Sequence, residues 1–143
     1  MPSTPELKEL KRALREGGLE VYRTEGTVVH LADRVRENLI MDAHVRVAAH
    51  PLTVTFDARA ERSVFPGESD QQLHERARAL GRSALERGFG ERRAFVTDVP
   101  DPNNADAVLE RWYQVEFERS VDDVATAIEE ARFAVALDKT ATR

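Results

Sequence analysis

The clearest hydrophobic pattern in the chain is the alternation that runs from residue 112 to residue 118. With a period of two, it places three apolar side chains on one face of a strand, Tyr113, Val115 and Phe117, and leaves Trp112, Gln114, Glu116 and Glu118 on the other. We therefore expect the first face to point into the core. The only tryptophan of the chain then stands on the second face, where it either packs under a helix or is exposed as an anchor for a partner.

Further strands are predicted wherever apolar or β-branched residues alternate with polar ones, at residues 19–24, 27–32, 44–49, 52–58 and 93–99. Glu25–Gly26 predicts a tight turn between the first two of these strands, and His50–Pro51 a turn between the next two. Residues 33–42 fit either a helix or a strand-connecting loop. Residues 98–107 contain two prolines and two asparagines, which predicts an exposed loop.

Helical spacing of apolar residues, together with start and stop signals, predicts three helices. The first helix starts after Thr4 and ends at Gly17–Gly18. The second helix starts at Ser69 or Asp70, runs to about Arg87 and ends at Gly88. The third helix starts after Ser120, which forms a capping box with Asp123. The predicted order is α-β-β-β-(β)-α-β-β-α. Strands in runs, with the helices set apart, indicate an α+β fold with a mostly antiparallel sheet and three helices. We expect residues 1–143 to form a single domain.

The composition is that of a folded domain: 41% of the residues are hydrophobic, 33% are charged, and the formal net charge is −5. An acidic chain is a poor partner for a phosphate backbone, so nucleic-acid binding is not expected, although Arg76, Arg78 and Arg82, or Arg92 and Arg93, leave room for a local basic patch. The N-terminal stretch does not resemble a secretory signal, and no apolar run is long enough for a membrane helix. These features predict a bacterial protein of the cytoplasm with no membrane partner.

Motifs that carry chemistry are missing from the sequence. The chain has no cysteine, and its four histidines do not have metal-ligand spacing, so no metal ligand is predicted. There is no glycine-rich phosphate loop and no nucleophile elbow, so no cofactor and no catalytic residue is predicted. Catalytic groups are assembled in space and need no linear motif. A small-molecule-binding or enzymatic domain that uses a cleft therefore remains the alternative to a protein without catalytic activity.

The predicted middle helix carries a narrow apolar stripe, spaced by four, three and four residues, formed by Leu73, Ala77, Leu80 and Ala84. A stripe of this width is typical of a coiled-coil contact, which predicts a homodimer interface. The equal alternative is that the helix packs on its own sheet, where small alanines permit a close approach.

The predicted last helix is apolar on two sides. Val124, Ile128, Ala131 and Val135 share one face, whereas Phe133 and Leu137 project from the far side. A second apolar side is covered either by the termini of the chain or by another molecule. Phe133, Leu137 and Trp112 are therefore the candidate partner-binding residues.

The predicted element order, at about 16 kDa with an acidic balance and no catalytic motif, resembles the type III secretion chaperone-like fold and the related YbjN-type proteins. An additional strand and the stretch DRVRENLIMD (residues 33–42) depart from that pattern. The resemblance implies a small cytoplasmic dimer that binds another protein through apolar surface. We accordingly predict a non-enzymatic protein-binding module of chaperone or adaptor type.

Overall fold

The computed structural model describes residues 6–142. In it, segments with alternating apolar residues form strands, and segments with helically spaced apolar residues form helices. The helices are α1 (Leu7–Glu16), α2 (Asp70–Leu80), α3 (Arg82–Leu85) and α4 (Val124–Ala136). The strands are β1 (Glu20–Glu25), β2 (Val28–Arg36), β3 (Leu39–Ala49), β4 (Leu52–Glu61), β5 (Gly90–Asp101), β6 (Asn104–Ser120) and β7 (Thr140–Ala141). The strands pair in the order β1-β2-β3-β4-β6-β5, and β7 lies beside β4. The predicted α+β class with a mostly antiparallel sheet is confirmed.

The chain divides into two compact units. Unit 1 comprises Met1–Phe56 and Glu118–Leu137, and unit 2 comprises Asp57–Phe117 and Asp138–Arg143.

Unit 1 is built on β1, β2, β3 and the first half of β4. Val29, Val47 and Val54 lie opposite one another in adjacent strands and are fully buried. Helix α1 contacts β1, and α4 contacts both β3 and α1. The approach of the two helices is close, because a Cβ at Gly17 would lie 2.6 Å from Cγ2 of Ile128. Burial of this apolar surface stabilises the unit.

Unit 2 has its core between α2 and the strands. The buried cluster consists of Ala60, Phe65, Leu73, Tyr113 and Ala141. Tyr113, Val115 and Phe117 are buried as predicted. Gln114 and Glu116, on the other face of β6, are buried as well. Their polar groups have partners there: Thr97 donates a hydrogen bond to Gln114, and Arg92 and Arg93 contact Glu116 at 3.2 and 3.5 Å.

Helix ends follow the capping signals in part. Ser69 caps α2 in a capping box with Gln72, as predicted for the second helix. The helix ends at Leu80 rather than near residue 87, and the turn at Gly81 lies against the Phe117 ring. The N-cap of α4 is Asp123, which accepts the Thr126 N–H at 2.7 Å, so the predicted capping box from Ser120 is wrong. The predicted N-cap Thr4 lies outside the described residues.

Two segments differ from their predicted conformation. Residues 33–42 are neither a helix nor a loop: they form the end of the β2–β3 hairpin, with Arg34 opposite Ile40. Residues 98–107 are not a long loop, because β5 and β6 continue through them to a turn at 102–103. The Asp101 carboxylate accepts the Asn103 N–H at 2.8 Å, and this side-chain bond replaces a strand bond at the turn.

Candidate functional site

A two-stranded arm, residues 33–42, extends beyond the pairing of its neighbours in unit 1. The pairing of β1 with β2 reaches Ala32, and the pairing of β4 with β3 reaches Val45. Within the arm, β2 and β3 pair only with each other in the part of the chain that the structure describes. The arm is therefore a hairpin with two open edges.

A β-bulge marks the base of the arm. His30 lies opposite Arg46 and Ala32 opposite Asp42, so β3 contains two more residues than β2 across this interval. His44 lies among the additional residues of β3 and has a positive φ of 57°. Its N–H donates to the Asp42 carboxylate at 2.8 Å. Because bulges bend and re-aim a strand, this one separates the buried part of β3 from the arm.

The arm carries an exposed apolar cluster on both of its faces. The cluster consists of Val35, Leu39, Ile40 and Met41, with exposed fractions between 38% and 54%. Ile40 lies opposite Arg34 and Met41 opposite Asp33, so the two apolar side chains point to opposite faces. A two-stranded hairpin is marginally stable on its own in water. Exposed apolar surface on such an element is typical of a binding site.

Arg34 anchors the arm to the rest of unit 1. Its Nε donates to Oε1 of Glu20 in β1 at 2.7 Å, and its Nη1 donates to the carbonyl oxygen of Glu37 at 2.5 Å. The guanidinium thus joins the turn of the arm to the neighbouring strand. This contact holds the arm in one orientation without covering its apolar side chains.

Unit 2 has a second exposed apolar surface on the β5–β6 hairpin, the hairpin patch, formed by Val96 and Leu109 with the ion pair of Asp98 and Arg111. Nε of Arg111 donates to Oδ1 of Asp98 at 2.6 Å, which places these two side chains on one face. Strand alternation adds Leu109, two residues before Arg111, and Val96, two residues before Asp98. Val96 and Leu109 have exposed fractions of 46% and 60%.

An open cleft of about 310 Å³ adjoins this hairpin and is lined by Arg62, Ser63, Val108, Leu109, Glu110 and Arg111. The Glu110 carboxylate accepts the N–H groups of Ser63 and Arg111 at 3.1 and 2.8 Å, and also the Ser63 hydroxyl. Burial raises the pKa of Glu110, but these hydrogen bonds outweigh it and hold the pKa below its ordinary value. A carboxylate held ionised in this way is a poor general base near neutral pH.

Arg62 and Tyr113 form a hydrogen-bonded network with Asp70. Nη2 of Arg62 lies 2.5 Å from Oδ1 of Asp70 and 2.9 Å from the Tyr113 hydroxyl, which donates to the same Asp70 oxygen at 2.8 Å. Nη1 of Arg62 donates to the Glu68 carbonyl oxygen. These bonds fix the segment between β4 and α2 to β6. The network therefore stabilises the fold of unit 2.

A wider open cleft, about 710 Å³, lies along α2 and is lined by Glu68, Ser69, Gln71, Gln72, Glu75, Arg76 and Ala79. Arg76 donates two hydrogen bonds to the Glu68 carboxylate, at 2.7 and 2.5 Å, and its guanidinium lies 3.8 Å from the centroid of the Phe65 ring. The positive charge of Arg76 is thus paired with the negative charge of Glu68, which lines the same cleft.

Four of the five arginines that suggested a local basic patch, Arg76, Arg78, Arg92 and Arg93, are paired with acids. Arg78 binds both Glu75 and Glu91 at 2.5 Å. Hydrogen bonding to Glu91 raises the pKa of Arg78, and the same contact lowers the pKa of Glu91. Together with the Arg76–Glu68 pair and the contacts of Arg92 and Arg93 with Glu116, these pairs reduce the positive potential that a phosphate backbone would require.

The predicted partner-binding residues are less exposed than the apolar side chains of the arm. Trp112, Phe133 and Leu137 are all half-buried. The Arg59 guanidinium lies 4.0 Å from the centroid of the Trp112 ring and covers one of its faces. Pattern analysis overlooked the arm, although Leu39, Ile40 and Met41 gave a signal: three successive apolar residues on a strand place apolar surface on both faces.

The predicted dimer stripe is not an available surface, so its assignment as a homodimer interface is wrong. Leu73, Ala77 and Ala84 are fully buried within the chain, and Leu80 packs against the core cluster of unit 2. The alternative, in which α2 packs on its own sheet through small residues, accounts for the spacing. Burial removes this interface but does not test whether the protein is a homodimer.

No three His, Asp or Glu side chains come together as metal ligands within residues 6–142. None of the helices in that range is both long and apolar enough to span a membrane. Comparison with protein-family models, with curated proteins and with solved structures finds no match to this chain. The resemblance to the type III secretion chaperone-like and YbjN-type fold therefore stays a prediction.

Proposed function

We propose that the protein is a non-enzymatic protein-binding module of adaptor or chaperone type, and that the arm is its contact surface. The observation that carries the proposal is the position of Val35, Leu39, Ile40 and Met41 on a hairpin that projects past the pairing of β1 and β4. Complete burial of one aliphatic side chain of this size contributes roughly 1.5–3 kcal/mol. Four half-exposed side chains therefore offer several kcal/mol to a partner that covers them.

The alternative function, a small-molecule or catalytic cleft, has less support from the contacts. A ligand site combines apolar walls with a few converging polar groups that are open to the ligand. In the cleft beside the hairpin patch, Glu110 is bonded to Ser63, Arg62 is bonded to Asp70 and Tyr113, and Arg111 is bonded to Asp98. These polar groups are hydrogen-bonded to one another rather than directed at a ligand. The contacts therefore favour the protein-binding module.

Photo-crosslinking from the arm tests the proposal. A photoreactive amino acid at Met41 is compared with the same amino acid at Arg12, an exposed position on α1. We expect discrete crosslinked protein bands from position 41 that are lost when Leu39→Ser is added. Bands of equal intensity from both positions would mean that the arm is not a specific contact surface.

The finer features of the protein stay predictions: the identity of the partner, the cytoplasmic location, the bacterial origin and the homodimer. The first is addressed by mass spectrometry of the crosslinked bands.

A further inference from the structure

The chain carries little sulfur. It has no cysteine, and its two methionines are Met1 and Met41. Met41 is the methionine of the described residues and lies in β3, within the arm. Cysteine and methionine are the residues whose sulfur is oxidised stepwise in proteins. Because no thiol competes for the oxidant, oxidation of sulfur in the described part of the chain falls on Met41.

Met41 is the most exposed apolar side chain of the arm. It is 54% exposed, compared with 38–51% for the other three residues of the cluster. Within the arm, β3 pairs with β2 alone among the described residues, so no further strand covers its outer edge. An oxidant in solution therefore reaches this side chain without any local unfolding.

The neighbours of Met41 place its sulfur within the apolar cluster. Leu39 lies two residues earlier in the same strand and shares its face, and Asp33 is the residue opposite on β2. A partner that covers Leu39 on this face covers the Met41 side chain as well. The polarity of the sulfur is thus a property of the surface that the partner contacts.

A hydroperoxide converts a thioether into a sulfoxide in one two-electron step. A sulfur lone pair attacks the terminal oxygen, the O–O bond breaks and an S–O bond forms. The proton of the transferred oxygen passes to the leaving oxygen, which departs as water when the oxidant is hydrogen peroxide. Sulfur is oxidised and the peroxide is reduced. The product is polar, and methionine sulfoxide reductases return it to the thioether.

The fold of unit 1 does not depend on burial of Met41, since more than half of this side chain is exposed. The arm is held by the pairing of β2 with β3 and by the hydrogen bonds of Arg34 to Glu20 and to the Glu37 carbonyl oxygen. A sulfoxide at position 41 is solvated where it stands, so it adds no buried polar group to the folded chain. Oxidation therefore changes the surface and leaves the fold intact.

We propose that Met41 is a site of reversible oxidation by peroxides, and that the sulfoxide lowers the affinity of the arm for its partner. The second part rests on the proposed function, in which the arm is the contact surface. Covering the thioether removes apolar surface from water, whereas covering the sulfoxide also removes the hydration of a polar oxygen. Oxidation should raise the dissociation constant by about 10-fold or more.

Peptide mapping by mass spectrometry tests the oxidation site without any partner. The folded chain and a synthetic peptide of residues 33–42 are treated with hydrogen peroxide under the same conditions. We expect Met41 in the folded chain to react at no less than about one third of the rate in the peptide, as for a site that needs no opening. A slower reaction would overturn the inference. So would a urea midpoint that oxidation lowers in the wild type but not in Met41→Leu, because the sulfoxide would then damage the fold.

Photo-crosslinking tests the effect on binding. The photoreactive amino acid is placed at Val35, so that Met41 is retained, and hydrogen peroxide is removed from the purified chain before native lysate is added. The crosslinked bands should weaken after oxidation and return after treatment with methionine sulfoxide reductases. They should withstand peroxide in Met41→Leu, which keeps a similar apolar volume without sulfur.

Two results would contradict the effect on binding: bands that survive oxidation of Met41, or bands that peroxide removes equally from Met41→Leu. In both cases the untreated chain still gives its bands, so the proposed function stands and the inference alone fails. Absence of bands from the untreated chain would contradict the proposed function and the effect on binding together.

Discussion

Arg34 on β2 binds Glu20 on β1 at 2.7 Å, where the pairing of these two strands ends. Both side chains are about half exposed, with exposed fractions of 50% and 41%. A pair at this exposure contributes at most about 1 kcal/mol to stability. Its importance lies in its position, because it ties the arm to the sheet.

Arg34→Ala should therefore loosen the arm without unfolding the protein. We expect the free energy of unfolding to fall by less than about 1 kcal/mol. Hydrogen exchange measured by mass spectrometry should become faster in residues 33–42, while residues 45–49 of the same strand stay protected. Faster exchange across all of β3 would show that Arg34 supports the whole sheet of unit 1 instead.

The contact between Gly81 and Phe117 makes a second prediction. A Cβ at Gly81 would clash with Cζ of Phe117, whereas a Cβ at Gly67 meets no atom within 4 Å. Gly81→Ala should cost roughly 1–3 kcal/mol through overpacking, and Gly67→Ala should change stability by less than about 0.5 kcal/mol. Urea denaturation of both variants measures the difference. Equal midpoints would show that the Phe117 ring moves aside at no cost.

The two faces of β6 should differ in their contribution to stability. Phe117 is 1% exposed, so Phe117→Ala should cost roughly 3–5 kcal/mol. Trp112 is half-buried with one face covered by Arg59, so Trp112→Ala should cost clearly less. Chemical denaturation compares the two variants. If Trp112→Ala is as destabilising as Phe117→Ala, the tryptophan belongs to the core.

Acid should weaken unit 1 through His30. Burial lowers the pKa of His30 from its ordinary value of 6.5, and the charges of Arg23 and Arg46, its cross-strand neighbours, lower it further. The unfolded chain therefore binds a proton near pH 6.5 that the folded chain does not bind until lower pH. Stability should fall as the pH falls below about 6.5, by at most about 1.4 kcal/mol per pH unit.

The variant His30→Gln provides the control for this pH dependence. It removes the titrating group and should flatten the stability profile between about pH 6.5 and pH 5. The free energy of unfolding, measured by urea denaturation at several pH values, decides the matter. An identical slope in the variant would assign the pH dependence to other groups.

Local pattern predicted those elements whose own residues determine their conformation. The alternation around Tyr113 and Phe117 predicted β6, and Ser69 predicted the start of α2. The arm was not predictable in this way, because its conformation depends on pairing between residues 33–36 and 39–42. Periodicity in a stretch of ten residues does not distinguish that pairing from a helix or a loop.

The candidate sites show a similar division. The spacing of Leu73, Ala77, Leu80 and Ala84 correctly marked an apolar face, but spacing does not tell which molecule covers it. Likewise, Trp112 was correctly placed on the second face of its strand, but its cover by Arg59 comes from a residue more than fifty positions away. Exposure of an apolar group is a tertiary property, and the structure shows which apolar residues of the arm and the hairpin patch are exposed.

The affinity of arm variants for the crosslinked partner tests the central claim most directly. Ile40→Asp on the arm is compared with Leu85→Asp, which introduces the same charge at an exposed apolar residue of α3 outside the arm and the hairpin patch. Titration calorimetry should give a dissociation constant raised about 30-fold or more by Ile40→Asp, as for a residue at the centre of an interface, and little changed by Leu85→Asp. Equal affinities for wild type and Ile40→Asp, with both chains folded, would contradict the assignment of the arm as the binding surface.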